Sequence, residues 1–352
     1  MHNKEPGVNK LQSSPEHLLV AARGFAADAV GCPFDRVTEV SRFPDGNRHA
    51  VYKVSYLEGT GEVNDVVVRV SYGASEAECE AAEREARVLR AVGGRAAPAL
   101  YDFRCMSRWL DTPAMCMQFV PGCQRELSSA STAEIEKLGS VLAWVHQRPV
   151  NDLADCLGPM TDIVSYAEAR VESILSGMAW ARGLLPGPVR SDLHRAADSA
   201  LKSWKAHRDS EGFKASGPLA LLHGDPALGN ILWGPEPVFI DWEYARLGDP
   251  ADEIAYLFDQ NGLDSPQRQS FWQGYAAGMT DAGHLPDIES RAEWWEPLTL
   301  LGSTLWWVER WVRRAEADAV EENDPVTPRE ASYYSDRATS RLDRLTRLLT
   351  RR

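Results

Sequence analysis

Leu222-His223-Gly224-Asp225-Pro226-Ala227-Leu228-Gly229-Asn230-Ile231-Leu232, followed by Phe239-Ile240-Asp241-Trp242-Glu243, decides how this chain is read. Apolar, strand-forming residues flank each polar segment, which places Asp225, Asn230 and Asp241 on loops and turns beside short strands. Phosphoryl transfer needs a carboxylate near the attacking hydroxyl and oxygen ligands that hold Mg²⁺ against the phosphates. Asp225 and Asn230 stand five positions apart on one loop, with Asp241 eleven positions further on, so the pair of segments supplies both. Asp225 would orient and deprotonate the hydroxyl, while Asn230 and Asp241 would hold the metal. Asp, Asn, Gly and Pro are also ordinary turn formers, and either segment alone reads as no more than a turn. The two in succession point to chemistry.

Working outward, the N-terminal side is rich in strand patterns. Residues 1–13 read as a flexible leader, and Ser14-Pro15-Glu16 opens a helix running to about Gly31. Val37–Phe43 and Ala50–Tyr56 flank the turn Pro44-Asp45-Gly46-Asn47, and a third strand covers Asp65–Tyr72. A charged amphipathic helix over Ser75–Val92 precedes two more strands, Ala99–Met106 and Ala114–Val120. Beyond Pro121-Gly122 helical periods dominate, over Thr132–Gln147, Asp162–Gly183, Val189–His207 and an arginine-rich last helix near Tyr333–Leu349. The expected organisation is α+β: a small β-rich lobe over residues 14–120 and a larger helical lobe over 121–352.

Composition narrows the function. The 352 residues are 44% hydrophobic and 25% charged, an ordinary globular balance. No apolar run reaches the ~20 residues of a membrane span, and Met1–Ser14 has no apolar signal segment, so a cytoplasmic location is expected. A formal charge of -13 argues against a nucleic-acid partner. Six scattered cysteines suggest neither zinc nor a disulfide framework, and read as reduced thiols. Between His223 and Asp324 twenty acids face six arginines and no lysine, a solvated surface or a site for a cationic substrate.

The two segments resemble the pattern of the aminoglycoside phosphotransferase and choline kinase superfamily, HGDxxxxN followed by IDxE. Similarity runs from about Val37 to the C-terminal helices. The resemblance implies a protein-kinase-like bilobal fold with nucleotide bound between lobes, Asp225 as catalytic base, and Asn230 and Asp241 as Mg²⁺ ligands. It implies that His223 braces the loop, that Arg69 meets the α- and β-phosphates, and that Glu85 pairs with Arg69. Met115–Gly122 resembles the hinge that holds adenine, with the Gln118 carbonyl and Val120 amide as contacts and Met117 packing nearby. Asn47, Arg48 and His49 would lie in the phosphate-covering turn, which has only Gly46 of the glycine-rich pattern. ATP is the implied nucleotide, with GTP left open. A P-loop is absent from the sequence. His-Gly-Asp in place of His-Arg-Asp, and only seven residues between Asp241 and Asp249, leave no activation segment, so the expected acceptor is a small molecule.

The acceptor stays open at this point. Asp249 and Asp252 read as structural, with capping as the obvious role. Glu243, two residues past a metal ligand, and Glu293, Glu296, Trp307 and Glu309 in the tryptophan-rich helical region are candidates for a cationic acceptor, since aromatic faces beside carboxylates suit ammonium groups. Core packing explains the same tryptophans. An aminoglycoside-like antibiotic leads, which would make this a resistance enzyme. Choline or another amino alcohol, and a macrolide or sugar, are alternatives, as is a nucleotide-binding protein without transfer. Neither nucleic acid nor a membrane is an expected partner, and a monomer or homodimer is expected.

Overall fold

In the computed structural model, the alternation over residues 37–71 becomes a set of antiparallel strands, and most other expected elements form within a few residues of their expected ends. The structure describes residues 15–44, 49–126, 129–158, 162–181, 187–208, 219–319, 327 and 329–350. The chain divides into two compact units. One comprises Met1–Arg125, Asn151–Leu157 and Gly229–Ala245; the other comprises Glu126–Val150, Gly158–Leu228 and Arg246–Arg352.

In the first unit, α1 (Pro15–Val30) leads into β1 (Val37–Arg42), β2 (His49–Leu57), β3 (Val63–Ser71), α2 (Glu76–Val92), β4 (Leu100–Arg104) and β5 (Ala114–Gln118). The five strands form an antiparallel sheet ordered β1-β2-β3-β5-β4. Period-two alternation gives β3 two different faces. Val66, Val68 and Val70 join Tyr52, Val54 and the α1 residue Phe25 in the core. Val67 and Arg69 project from the opposite face, where Arg69 lies across from Val51 on β2 and Met115 on β5. A capping box formed by Ser75 and Glu78 starts α2. The helix then buries Glu85, Ala86, Val88, Leu89 and Val92 along one stripe.

The chain first passes between the units at Arg125–Glu126, a few residues past the expected boundary, and Asn151–Leu157 and Gly229–Ala245 later return to the first unit. The segment carrying Asn230 and Asp241 clusters with the N-terminal sheet because its backbone is tied there. Trp233 and Cys123 exchange backbone hydrogen bonds (3.1 and 2.9 Å), and the Phe239 amide donates to the Ala96 carbonyl at 2.8 Å. The segment forms the hairpin β7 (Ile231–Leu232) and β8 (Val238–Phe239), and a 3₁₀ turn over Trp242–Tyr244. A short helix, α4 (Ala154–Leu157), joins the same unit through Arg87, which donates to both Asp155 carboxylate oxygens at 2.7 and 2.9 Å. Cys79 in α2 and Cys105 after β4 form a disulfide with Cα atoms 5.3 Å apart, which corrects the expectation of reduced thiols for this pair. A sequence separation of 26 hid the pairing; Cys32, Cys116, Cys123 and Cys156 are free.

The second unit is helical apart from β6 (Ala220–Leu222) and β9 (Arg246–Gly248), which pair antiparallel. Its helices are α3 (Thr132–His146), α5 (Ile163–Ala181), α6 (Gly187–Arg208), α7 (Pro250–Asn261), α8 (Ser265–Gly278), α9 (Leu285–Ala319) and α10 (Ala331–Thr350). Close approach of α3 and α8 depends on Gly274, where a Cβ would fall 1.7 Å from the Glu136 carbonyl oxygen. That approach seats His146, at the end of α3, against Tyr275. The whole is a bilobal α+β architecture of the protein-kinase-like kind.

Candidate active site

The first unit contains a cavity of about 800 Å³. Arg69, Glu85, Asn230, Asp241 and Glu243 contribute its polar lining, and Met117, Gln118 and Val120 lie along it. Every residue expected to meet nucleotide or metal is therefore on one cavity, except Asn47, which lies outside the described residues together with Arg48. His49 lines the cavity as well. Among the five acids of α2 named by their sequence positions (Glu76, Glu78, Glu80, Glu83, Glu85), Glu85 alone is buried. It forms an ion pair with Arg69, and its second oxygen accepts the Trp242 backbone N–H at 3.2 Å. Arg69 also approaches Asp241 Oδ1 at 3.5 Å. Burial opposes the Arg69 charge, but Glu85, Asp241 and Glu243 outweigh it and hold the guanidinium pKa above its ordinary value. The site thus keeps a fixed positive charge on the sheet and carboxylates opposite.

Asp241 sits at φ 66°, ψ 67°, the one non-glycine residue in the left-handed region among the described residues. For an L-residue this costs of order 1 kcal/mol or more, and such strain clusters at functional positions. The donor set fits Mg²⁺: one carboxylate and one amide oxygen, from Asp241 and Asn230, line the same cavity. No group of three or more His, Cys, Asp or Glu side chains suited to a metal occurs among the described residues. Glu243 lines the same cavity, and its charge acts on Arg69.

In the second unit, the Asp225 loop is fixed by side chains from four elements. Glu253 on α7 accepts the His223 and Gly224 backbone N–H groups at 3.0 and 2.6 Å. It also meets His146 Nε2 at 3.0 Å, while His146 Nδ1 pairs with the Tyr275 hydroxyl at 2.8 Å. Burial disfavours the Glu253 charge; hydrogen bonding and charge from His146, with His223 and the Gly224 amide, more than compensate and hold its carboxyl below the ordinary value. Arg246 donates to the Gly224 carbonyl at 3.2 Å, and Asn261 to the Pro226 carbonyl at 3.2 Å. Gly224 itself has φ +90°, a conformation that favours glycine. His223 is fully buried, and its Nδ1 accepts the Asp225 amide at 3.2 Å, the bracing contact expected of it. The Tyr256 hydroxyl donates to Asp225 Oδ1 at 2.8 Å. Burial, followed by the Asp225 charge, raises the Tyr256 pKa far above its ordinary value, so the phenol keeps its proton.

Asp249 caps α7 through the Ala251 amide and receives Arg291 on both oxygens at 3.0 and 3.1 Å, plus Trp295 Nε1 at 2.9 Å. Asp252 accepts the Tyr166 hydroxyl at 2.6 Å. The remaining acceptor candidates separate. Glu293 and Glu296 line a second cavity of about 400 Å³ with Glu289, Trp272, Arg268 and Phe258. There Arg268 pairs with Glu296 at 2.9 Å and lies 5.0 Å over the Phe258 ring. Burial and then the Glu293 charge raise the Glu289 pKa. Trp307 and Glu309, further along α9, do not line it. Instead Trp307 packs against α10, under Arg337 and Arg341. Sequence reading missed Tyr256, whose only signal is helical phase relative to Glu253 on α7, and His146, which lies on α3 and has no such signal.

A model of the Phosphotransferase enzyme family matches residues 39–294, well over half of the chain, and this chain belongs to that family. No curated protein is significantly similar to it in sequence. Solved structures share the fold. A choline/ethanolamine kinase family protein from Mesorhizobium loti is similar at 18% identity and TM-score 0.56, covering 94% of this chain and 98% of that one. A choline kinase from Cryptosporidium parvum Iowa II has 13% identity and TM-score 0.62, covering 96% of each chain. A spectinomycin phosphotransferase, solved with ADP and spectinomycin, has 13% identity and TM-score 0.54, covering 89% of this chain and 93% of that one.

Proposed function

We propose that the chain is an ATP-dependent phosphotransferase that transfers the γ-phosphate to a hydroxyl group of a small molecule. The observation that carries the reading is the grouping of Arg69, Glu85, Asn230 and Asp241 on one cavity, beside a strained Asp241. In this proposal Arg69, held by Glu85, meets the α- and β-phosphates, and Met117, Gln118 and Val120 line the adenine end. Asn230 and Asp241 hold Mg²⁺, which supplies charge neutralisation at the phosphates when bound. Asp225 accepts the acceptor's hydroxyl proton as the new O–P bond forms and the bridging P–O bond to ADP breaks; the proton then passes to water. Glu253, His146 and Tyr256 keep the Asp225 loop and carboxylate in one orientation. ATP is favoured and GTP remains an alternative nucleotide.

For the acceptor, a cationic, aminoglycoside-like molecule is supported by the cavity with Glu289, Glu293 and Glu296. That cavity, however, contains none of the residues around Asp225. Choline-like, macrolide and sugar acceptors belong to the same test. No described helix is long and apolar enough to cross a membrane; a cytoplasmic protein, monomeric or homodimeric, fits the proposal. The deciding experiment is Mg·ATP-dependent ADP release across these acceptors. Asp225→Asn is expected to abolish release while ATP binding by calorimetry persists; near-normal turnover would end the assignment. Asp241→Ala is expected to weaken ATP binding only when Mg²⁺ is present, and an unchanged affinity would place the metal elsewhere.

A further inference from the structure

We propose that Arg341 and Arg337 form an anion-recognising subsite for the acceptor, so that the phosphorylated hydroxyl compound itself carries a carboxylate or a phosphate, in place of the cationic acceptor suggested by a carboxylate-lined cavity that holds none of the residues around Asp225. This rests on Asp225 being the transfer residue. Tyr256, whose hydroxyl holds Asp225, and Gln260 are four positions apart on α7 and share one face. Arg341 Nη2 donates to the Gln260 side-chain oxygen at 3.1 Å, and Arg341 lies within electrostatic reach of Tyr256. The guanidinium is thus about one helical turn along α7 from the residue that orients the base.

The neighbouring charges are unusual for an acidic protein. Arg337 lies one turn before Arg341 on α10, and Arg344 three residues after it. Arg344 is neutralised, since it pairs with Asp259 Oδ1 at 2.9 Å and also donates to the Asp259 carbonyl in the last turn of α7. Neither Arg337 nor Arg341 has a carboxylate partner among the described residues. Burial, then the like charges of Arg337 and Arg344, lower the Arg341 pKa against the pull of Asp259. An arriving anion relieves that repulsion. Packing of α10 on α9 accounts for the stacking of these arginines on Trp307, while the Asp259 charge that reaches Arg341 is shared with Arg344.

Stacking also argues against an ammonium ligand at this place. Arg337 and Arg341 lie 5.1 and 5.3 Å from the Trp307 ring centre, and Arg337 lies 4.6 Å from that of Tyr333. A third cation on the same ring would add repulsion to the two already there. A guanidinium fork matches the paired oxygens of a carboxylate or phosphate, and its planar face tolerates stacking while its edge binds.

The test is ADP release from Mg·ATP with gluconate, glycerate and glycerol phosphate against choline, ethanolamine and an aminoglycoside, using wild type, Arg341→Met, Arg341→Lys and Asp225→Asn. The expected result is turnover of an anionic acceptor. Its KM should rise roughly tenfold or more in Arg341→Met and less in Arg341→Lys, with the ATP KM unchanged. Gluconate against glycerol phosphate separates carboxylate from phosphate. Turnover confined to cationic or neutral acceptors, with KM unmoved in Arg341→Met, overturns the proposal. If Asp225→Asn retains turnover, the transfer assignment has failed instead. If no acceptor is turned over, calorimetry decides. Saturable gluconate or glycerol phosphate binding that Arg341→Met removes supports the subsite, and no binding up to about 10 mM overturns it. Arg341→Lys keeps the test valid if the Met variant fails to fold.

Discussion

At Asp225, one carboxylate oxygen is already occupied by the Tyr256 phenol, which aims the group without neutralising it. Tyr256→Phe removes that hydrogen bond and little volume. The expected outcome is a fall in kcat of about tenfold, the worth of one charge-assisted bond, with ATP KM and thermal midpoint unchanged. A matched fall in stability would mean that the phenol serves only packing. Glu253 gives the pH prediction. Its carboxyl is held below 4.5 in the folded chain, so its contribution to stability is complete above that value. The contribution is lost as pH falls through the lower folded value. Glu253→Gln should therefore flatten the acid limb of a stability-versus-pH curve, besides lowering stability at neutral pH. The loop positions of Asp225, Asn230 and Asp241 were legible because turn residues and apolar flanks mark them. Tyr256 was not, because a tyrosine in a helix announces nothing until the facing loop is placed.

Among the elements, α7 does the most positioning. Asp249 caps it, Glu253 holds the loop backbone, Tyr256 reaches Asp225, and Asn261 reaches Pro226. Asp249→Ala would remove the cap and leave buried Arg291 without its bidentate partner. A loss of about 3–5 kcal/mol is expected from that uncompensated charge, read as a lower midpoint in chemical denaturation. A loss under about 1 kcal/mol would show the pair to be energetically idle. The periodic elements were readable to within a few residues, since β3 and α2 announce themselves by alternation and by a capping box. A short β segment over 237–242 was readable and β8 forms within it, but its partnership with β7 was not. Their pairing depends on tertiary ties such as that of Phe239 to Ala96.

At the scale of the molecule, each unit has its own core, and the disulfide belongs to one of them. Closing a loop of this length is worth roughly 3 kcal/mol, so reduction should act locally. Hydrogen exchange under reductant is expected to lose protection in β1–β5 and α2 while α7–α10 stay protected. Uniform loss would mean that the two units unfold as one. The division itself was not legible from the chain order. A composition change near residue 120 marks where strands give way to helices, but residues 229–245 return to the sheet unit through backbone bonds that no local pattern encodes.

Asp241 sets stability and activity at odds. Its left-handed backbone suits glycine or asparagine better than aspartate. Under the proposed role of Asp241 as a metal ligand, a library screened only for thermal resistance would enrich glycine at 241 and return robust proteins that have lost metal binding. Selection for catalysis would restore the aspartate at a cost in robustness. Any directed-evolution campaign on this scaffold should hold position 241 fixed and take its stabilising substitutions elsewhere.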